Sequence, residues 1–341
     1  MDEGEFITAV MRLIAAVVML VLLVSVPVSG GVPGTSGPMA LAAVKTFMYQ
    51  LQNLEDSDSL GALARSSYDL VVVEPTGTTV GNAGFDMKGM VAKLHGGRAG
   101  RIVLAYLDAG EAETFRTYWG KDWVAPTRTA KGQPDFILIP DPDGWSGDYP
   151  VAYWDRRWQA VMVLQVKLLM RAGFDGVYLD WIDAWDDDTI RTQANLQKVD
   201  SARSMVDFLS LIRSTARGIN PNALLVQQNA FGLIDADPRL TDAIDALGVE
   251  DTWYSGEADA KWDSKKSGDI PNREHDESST GARLKQYEKF LAAGKPVFTV
   301  DYCLNPKNAA RVYAEARAHH LIPLVTRVSL DHITTTPPPV P

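Results

Sequence analysis

Eight short apolar runs recur along the chain, and stretches of helical periodicity lie between them. Thr46–Leu51 is the first run. Asp69–Glu74 is the second, with Leu70 to Val73 at its centre and Pro75 as its stop. Arg101–Asp108 is the third. The stretch Gly173–Asp183 holds the fourth, where Val177, Tyr178 and Leu179 form a β-prone core behind Gly173 and Gly176 and Asp180 stands at the C-terminal end. Leu224–Asn229, Ile244–Glu250, Pro296–Tyr302 and Leu321–Val328 complete the set. Helices are expected at Leu60–Arg65 and at Met87–Leu94, the latter stopped by Gly96 and Gly97. Others are expected at Arg156–Ala172 behind the cap residue Asp155, Ala202–Arg217 ending on Gly218, Ala282–Ala293 and Asn308–His319.

Eight strands, each followed by a helix or by room for one, predict an α/β fold of the closed (β/α)8 TIM-barrel kind, one domain over residues 43–332. A doubly wound open sheet is the alternative, and the lack of a Gly-rich phosphate loop after any strand counts against it. Three segments stand outside the repeat. Glu113–Tyr153, after the third strand, is a long loop insertion rich in Trp, Pro, Gly and Asp. A hairpin between Phe136–Ile139 and Val151–Trp154 is expected in it, and a plain turn at Asp141 to Gly144; loops this long are commonly functional. Glu257–Thr280 is polar and expected to be a mobile loop. Residues 333–341 read as a disordered Pro/Thr tail.

Residues 1–42 are not expected to belong to the barrel. Leu13–Val28 is an apolar run behind Arg12, short for a membrane span and broken by Pro27. Ala40, Leu41 and Ala42 fit small-residue cleavage, as does the region of Ser29 and Gly30. The segment therefore reads as a signal peptide or an uncleaved anchor plus linker, and either places the barrel outside the cytoplasmic membrane. Asp2, Glu3 and Glu5 are unusual at the start of a signal and make Met11 a candidate initiator. The net charge of −10 argues against general nucleic-acid binding and suits a cationic substrate as well as plain solubility. A single cysteine, Cys303, excludes an intramolecular disulfide and a Cys-based zinc site. The five histidines show no ligand spacing beyond the adjacent His319 and His320, so no metal or other cofactor is expected.

A barrel places its chemistry at the C-terminal ends of its strands. Here those ends carry Glu74, Asp108 with Glu111, Asp180, Glu250 with Asp251, and Asp301, accompanied by Gln227, Gln228 and Asn229. Side chains alternate along a strand, so if Tyr178 faces inward then Asp180 does too. The competing reading makes Asp180 only a cap for the next helix, and Asp183 is a candidate cap in either case. No Ser/His pair, strand-end Lys or metal cluster competes with the carboxylates. Two carboxyls in a cleft with aromatic side chains suit glycoside hydrolysis, one as acid and base, the other as nucleophile or water activator. Tyr106, Tyr178, Trp181, Trp253 and Tyr254 are expected to stack on sugar rings, with Tyr49, Tyr302, Gln228 and Asn229 as further contacts.

Tyr106 to Glu111, Gly173 to Asp180, Gln227 to Asn229, Gly248 to Asp251 and Val300 to Tyr302 together resemble the endo-α-1,4-polygalactosaminidase barrel family, glycoside hydrolase family 114, over about Thr46 to Asp331. The resemblance implies a secreted, retaining endo-hydrolase of α-1,4-linked, N-deacetylated galactosamine polymers. It implies Asp180 as nucleophile and Glu250 as general acid/base; the residues alone leave open which does what. Asp108, Glu111 and Asp301 would bind substrate ammonium groups by charge-assisted hydrogen bonds or tune the pair. A retaining pair would lie about 5–5.5 Å apart and an inverting pair roughly 6.5–9.5 Å. A glycosidase acting on a neutral or N-acetylated α-glycan, and a carbohydrate-binding barrel without turnover, are the other readings.

Overall fold

All eight apolar runs become strands that are buried at nearly every position, helices covering one face and the barrel interior the other. The computed structural model describes residues 41–142, 144–272 and 279–334. In chain order the strands are β1 (Phe47–Gln50), β2 (Leu70–Val73), β3 (Ile102–Asp108), β4 (Glu111–Glu113), β5 (Asp148–Pro150) and β6 (Gly176–Asp180). They continue with β7 (Leu224–Gln228), β8 (Ala246–Glu250), β9 (Tyr254–Ser255), β10 (Ile270–Pro271), β11 (Val297–Tyr302) and β12 (Ile322–Thr326). The main sheet has the order β1-β2-β3-β6-β7-β8-β11-β12, and every pair is parallel. β12 lies beside β1, and just past β1 the Leu51 N–H donates to the Leu330 carbonyl at 2.8 Å. The result is a nearly closed (β/α)8 barrel.

The helices are α1 (Ser57–Arg65), α2 (Met87–Gly97), α3 (Arg156–Ala172), α4 (Asp188–Leu196), α5 (Ser201–Arg217), the single turns α6 (Leu233–Ala236) and α7 (Leu240–Ala243), α8 (Thr280–Ala292) and α9 (Pro306–Ala318). Aspartates start five of them: Asp56, Asp86, Asp155, Asp187 and Asp200 each accept an N–H of the first turn. Gly173 ends α3 at φ 100°, in the left-handed region that favours glycine there. α2 runs on through Gly96 and Gly97, the residues expected to stop it. A Cβ on Gly97 would fall 1.9 Å from the Ala64 carbonyl oxygen, so this glycine serves the close approach of α2 to α1 rather than helix termination.

The insertion is pinned differently from the expected hairpin. β5 pairs antiparallel with β4, Glu111 opposite Pro150, while Phe136–Ile139 contributes only an isolated bridge from Ile137 to Val151. At the expected turn the Asp141 carboxylate accepts the Trp145 N–H at 2.6 Å; Asp143 lies outside the described residues. The described part of the expected mobile loop holds β10, which pairs antiparallel with β9 just ahead of the loop, and residues 273–278 lie outside. Packing extends to Thr334, which is buried and donates its hydroxyl to the Val325 carbonyl at 2.7 Å. At the other end Leu41 and Val44 are buried in the core; residues 1–40, with the expected signal or anchor, and 335–341 lie outside the described residues. Among the described residues no helix is long and apolar enough to cross a membrane, and no group of three or more His, Cys, Asp or Glu is arranged to hold a metal ion.

Candidate active site

Strand register decides which side chains meet inside the mouth of the barrel. Tyr106 stands opposite Tyr178 and Asp108 opposite Asp180, so β3 and β6 present matching pairs, while Gln228 of β7 lies opposite Gly248 of β8. A Cβ on Gly248 would fall 2.3 Å from the Tyr178 hydroxyl, so glycine at this point in β8 is what lets the tyrosine ring cross the interior. Tyr49 stacks near it, with ring centroids 5.2 Å apart. Tyr49 and Tyr178 are each only 1% exposed, and the Tyr178 hydroxyl finds no hydrogen-bond partner among the described residues. These tyrosines form the floor of the site and cannot offer a face to a sugar, contrary to the stacking expected of Tyr178.

Two carboxyls stand on that floor. Asp180 accepts the Tyr106 hydroxyl at 2.6 Å on one oxygen and the Trp181 backbone N–H at 2.7 Å on the other. It caps no helix. The following 3-10 turn, Ile182–Trp185, has no side-chain cap, and the Asp183 carboxylate instead accepts the Ala230 N–H at 2.7 Å. Glu250 accepts the Gln228 amide at 2.6 Å on Oε2 and the Tyr302 hydroxyl on Oε1. Gln228 in turn accepts the Tyr49 hydroxyl at 3.1 Å, so the Glu250 carboxyl is held through to the floor. Its backbone is fixed too: its N–H donates to the Asn229 side chain at 3.1 Å, and its carbonyl accepts Arg283 of α8 at 2.8 Å. Burial, then the negative charges of Asp251 and Asp180, push the Glu250 pKa up to about 8, against the opposing pull of Tyr302 and Arg283.

The turns above these strands share an uncommon backbone. Trp181, Asn229 and Asp251 directly follow the last residues of β6, β7 and β8, and all three have left-handed φ, at 54°, 50° and 58°. Such non-glycine residues cost about 1–3 kcal/mol each and cluster at functional sites.

The remaining candidates divide. Asp108, Glu111, Asp141 and Asp148 form an acidic wall beside Asp180. Asp108 accepts the Gly110 and Glu111 N–H groups at 3.1 and 2.9 Å, and burial followed by the Asp180 charge pushes its carboxyl well up. Glu111 is pushed well up by burial and the neighbouring Asp108, while Asp148 rises to about 7 by burial and the Glu113 charge. One oxygen each of Glu111, Asp141 and Asp148 has no hydrogen-bond partner among the described residues. Asp301 is fully buried and accepts the Trp253 and Tyr254 N–H groups at 2.6 and 2.9 Å; it anchors a loop rather than facing the mouth. Tyr254 and Trp253 are buried, and the Tyr254 hydroxyl meets Asn308 of α9 at 3.3 Å, away from the carboxyl pair. Of the expected stacking residues only Tyr106 and Trp181 are partly exposed. Glu74, a strand-end carboxylate, is spent on structure: Arg116 binds it together with Glu113 and the Thr78 hydroxyl in a buried cluster. Sequence reasoning missed Arg283, Asp141 and Asp148, which come from segments with no readable motif.

The chain is 34% identical over 315 residues to an uncharacterized protein of Deinococcus radiodurans, covering 92% of this chain and 90% of that one. It is 27% identical over 259 residues to the uncharacterized protein MJ1477 of Methanocaldococcus jannaschii, covering 75% and 66%. Among solved structures, Aspergillus fumigatus Ega3 in complex with galactosamine superposes with a TM-score of 0.57 at 17% identity, over 85% of this chain and 94% of that one. The glycoside hydrolase domain of PelA from Pseudomonas aeruginosa superposes with a TM-score of 0.54 at 17% identity, over 86% and 98%. These structural likenesses bear on the fold. The family pattern for glycoside-hydrolase family GH114 matches residues 33–338, nearly the whole chain. The chain belongs to glycoside-hydrolase family GH114 and is a glycosidase.

Proposed function

We propose that this glycosidase is secreted, endo-acting and retaining, and that it cleaves α-1,4-linked, partly deacetylated galactosamine polymers with Asp180 as nucleophile and Glu250 as general acid/base. The contrast between the two carboxyls carries this reading. Glu250, with its pKa pushed to about 8, holds a proton at neutral pH and can give it to the leaving glycosidic oxygen. Once ionised, it can take a proton from the water that completes the second step. Asp180 is held by two donors that complement a negative charge, as a nucleophile attacking in its anionic form requires.

The substrate class is supported by the acidic wall beside Asp180 and by the galactosamine bound to Ega3. An ammonium group brought to this wall would favour the ionised forms of Asp108 and Asp148 and gain charge-assisted hydrogen bonds. A neutral or N-acetylated α-glycan is the second reading. The upward shifts of Asp108 and Glu111 favour it, because they leave neutral carboxyl groups able to donate to hydroxyl or amide oxygens. Secretion is supported by the apolar segment Leu13–Val28.

Purified protein would be incubated with α-1,4-galactosamine oligomers at several degrees of acetylation, and product length and anomeric configuration followed by NMR. Shorter oligomers released with α configuration, and lost in Asp180→Asn and Glu250→Gln, are expected. Cleavage confined to fully acetylated oligomers would favour the second reading. Cleavage surviving both substitutions would remove the two carboxyls from the mechanism. Binding without any cleavage, unchanged in Asp180→Asn, would make the barrel a carbohydrate-binding protein.

A further inference from the structure

α3 carries four cations, Arg156, Arg157, Lys167 and Arg171, and no acidic residue, in a chain with a net charge of −10. Its inner face, with Trp158, Met162, Val166 and Leu169, is buried against the barrel. Its outer face is not the polar surface an exposed helix ordinarily presents. Leu164 is 64% exposed and Leu168 40% exposed. Spacing by four places Arg156, Ala160, Leu164 and Leu168 in one row, with Val163, Lys167 and Arg171 in the row beside it. The leucines thus sit between cations at both ends.

Arg157 is paired with Asp135 and Asp155, whereas Arg156, Lys167 and Arg171 have no carboxylate partner among the described residues. The apolar surface continues past the start of the helix. Leu196, at the end of α4, is 73% exposed, and the adjacent Gln197 accepts the Trp154 indole N–H at 3.0 Å. Leu211 of α5 borders the same face along a shallow groove with Arg156 and Leu164.

Whatever covers this face must be anionic to meet the three unpaired cations and apolar to cover the leucines, along a helix about 25 Å long. A lipid surface meets both requirements at once. We propose that the outer face of α3 rests on an anionic bilayer, with Leu164 and Leu168 entering the headgroup boundary while Lys167 and Arg171 reach lipid phosphates. A face this shallow, with exposed leucines flanked by cations, suits a bilayer better than a folded partner. In the uncleaved-anchor reading, the apolar segment Leu13–Val28 gives the same chain a second element that seeks a membrane. α3 runs back along the barrel wall, so this contact would lay the barrel on its side and leave the strand ends open along the membrane plane. The proposal is independent of the substrate reading.

The test uses the full chain bearing Leu164→Cys, labelled with an environment-sensitive fluorophore; the natural Cys303 is buried. Lys307→Cys, on α9 across the barrel, is the control for a different face. The label at position 164 is expected to shift to the blue on vesicles of mixed phosphatidylglycerol and phosphatidylcholine, and the label at 307 to stay put. The shift should fade in about 0.5 M salt and be absent on phosphatidylcholine alone. Adding Lys167→Glu and Arg171→Glu should weaken the vesicle affinity read at position 164 by about tenfold or more. No shift at 164 on anionic vesicles, or equal shifts at 164 and 307, would overturn the proposal. So would a shift that grows with protein concentration without vesicles, which would make the face a contact between copies of the chain.

Discussion

Removing the Tyr302 hydroxyl perturbs the proton held by Glu250 without removing the carboxyl. Burial raises the Glu250 pKa to about 8, and the Tyr302 hydroxyl on Oε1 opposes that rise by favouring the ionised form. A hydrogen bond to a charged group contributes about 1.5–3 kcal/mol, and about 1.4 kcal/mol corresponds to one pKa unit. Tyr302→Phe should therefore carry Glu250 from about 8 to roughly 9–10. The amide of Gln228 still donates to Oε2, so the carboxyl keeps one of its two donors. In the proposed mechanism the protonated form is the acid in glycosidic cleavage, so a higher pKa would widen the active range upward. The assay is kcat/KM on soluble oligomers between about pH 5 and 10, for wild type and variant, with circular dichroism confirming an intact fold at each pH. The alkaline limb of the variant is expected to lie one to two units above that of wild type. A limb that stays in place or moves down would show that Tyr302 does not tune the group whose ionisation ends activity.

Stability should fall as pH rises. Asp148, Asp251 and Asp301 are pushed up to about 7 and Glu250 to about 8, in each case first by burial. A carboxyl raised above its unfolded value stabilises fully below about pH 4 and loses that contribution as pH climbs through the folded value. The Tm near pH 5.5 should thus exceed the Tm near pH 9, and the opposite order would contradict the assignment. Arg116→Met should cost about 3–5 kcal/mol in chemical denaturation, because Glu74 and Glu113 would lose their buried cation; a loss below about 1 kcal/mol would place that cluster with weak surface pairs. Gly248→Ala should cost about 1–3 kcal/mol and lower kcat, since its methyl would lie 2.3 Å from the Tyr178 hydroxyl and 2.5 Å from a ring carbon. Adding Tyr178→Phe should not rescue it, because the ring carbon remains.

The strands were readable because their apolar runs are local and continuous, and the ends of all eight fall within about three residues of the expected limits. Asp155 was an equally local signal, a cap residue ahead of a periodic stretch, whereas Asp56 read as part of a polar loop and caps α1. The β4/β5 pair was not readable: Glu111–Glu113 and Asp148–Pro150 are three residues each, and nothing in either marks its distant partner. Asp180 and Glu250 could be picked out by their place at strand ends, yet the same rule also selected Glu74. Only the arrival of Arg116 from the insertion separates a structural carboxylate from candidate catalytic ones. Tyr178 and Tyr254 carry no mark of burial in their sequence context. The gap at Gly248 and the turn of β9 toward α9 decide where those rings go.

The left-handed residues Trp181, Asn229 and Asp251 divide the labour of the barrel between frame and loops. Each reverses the chain immediately after a strand. After β6 the reversal brings the Trp181 N–H back onto the Asp180 carboxylate, and after β7 it brings Asn229 onto the Glu250 backbone. Much of what positions the two carboxyls is therefore in place before any loop begins. Loops beyond these turns can lengthen, shorten or change composition without moving the pair. A barrel built this way can exchange one polymer for another through its rims while the geometry of the proposed catalytic pair is inherited intact.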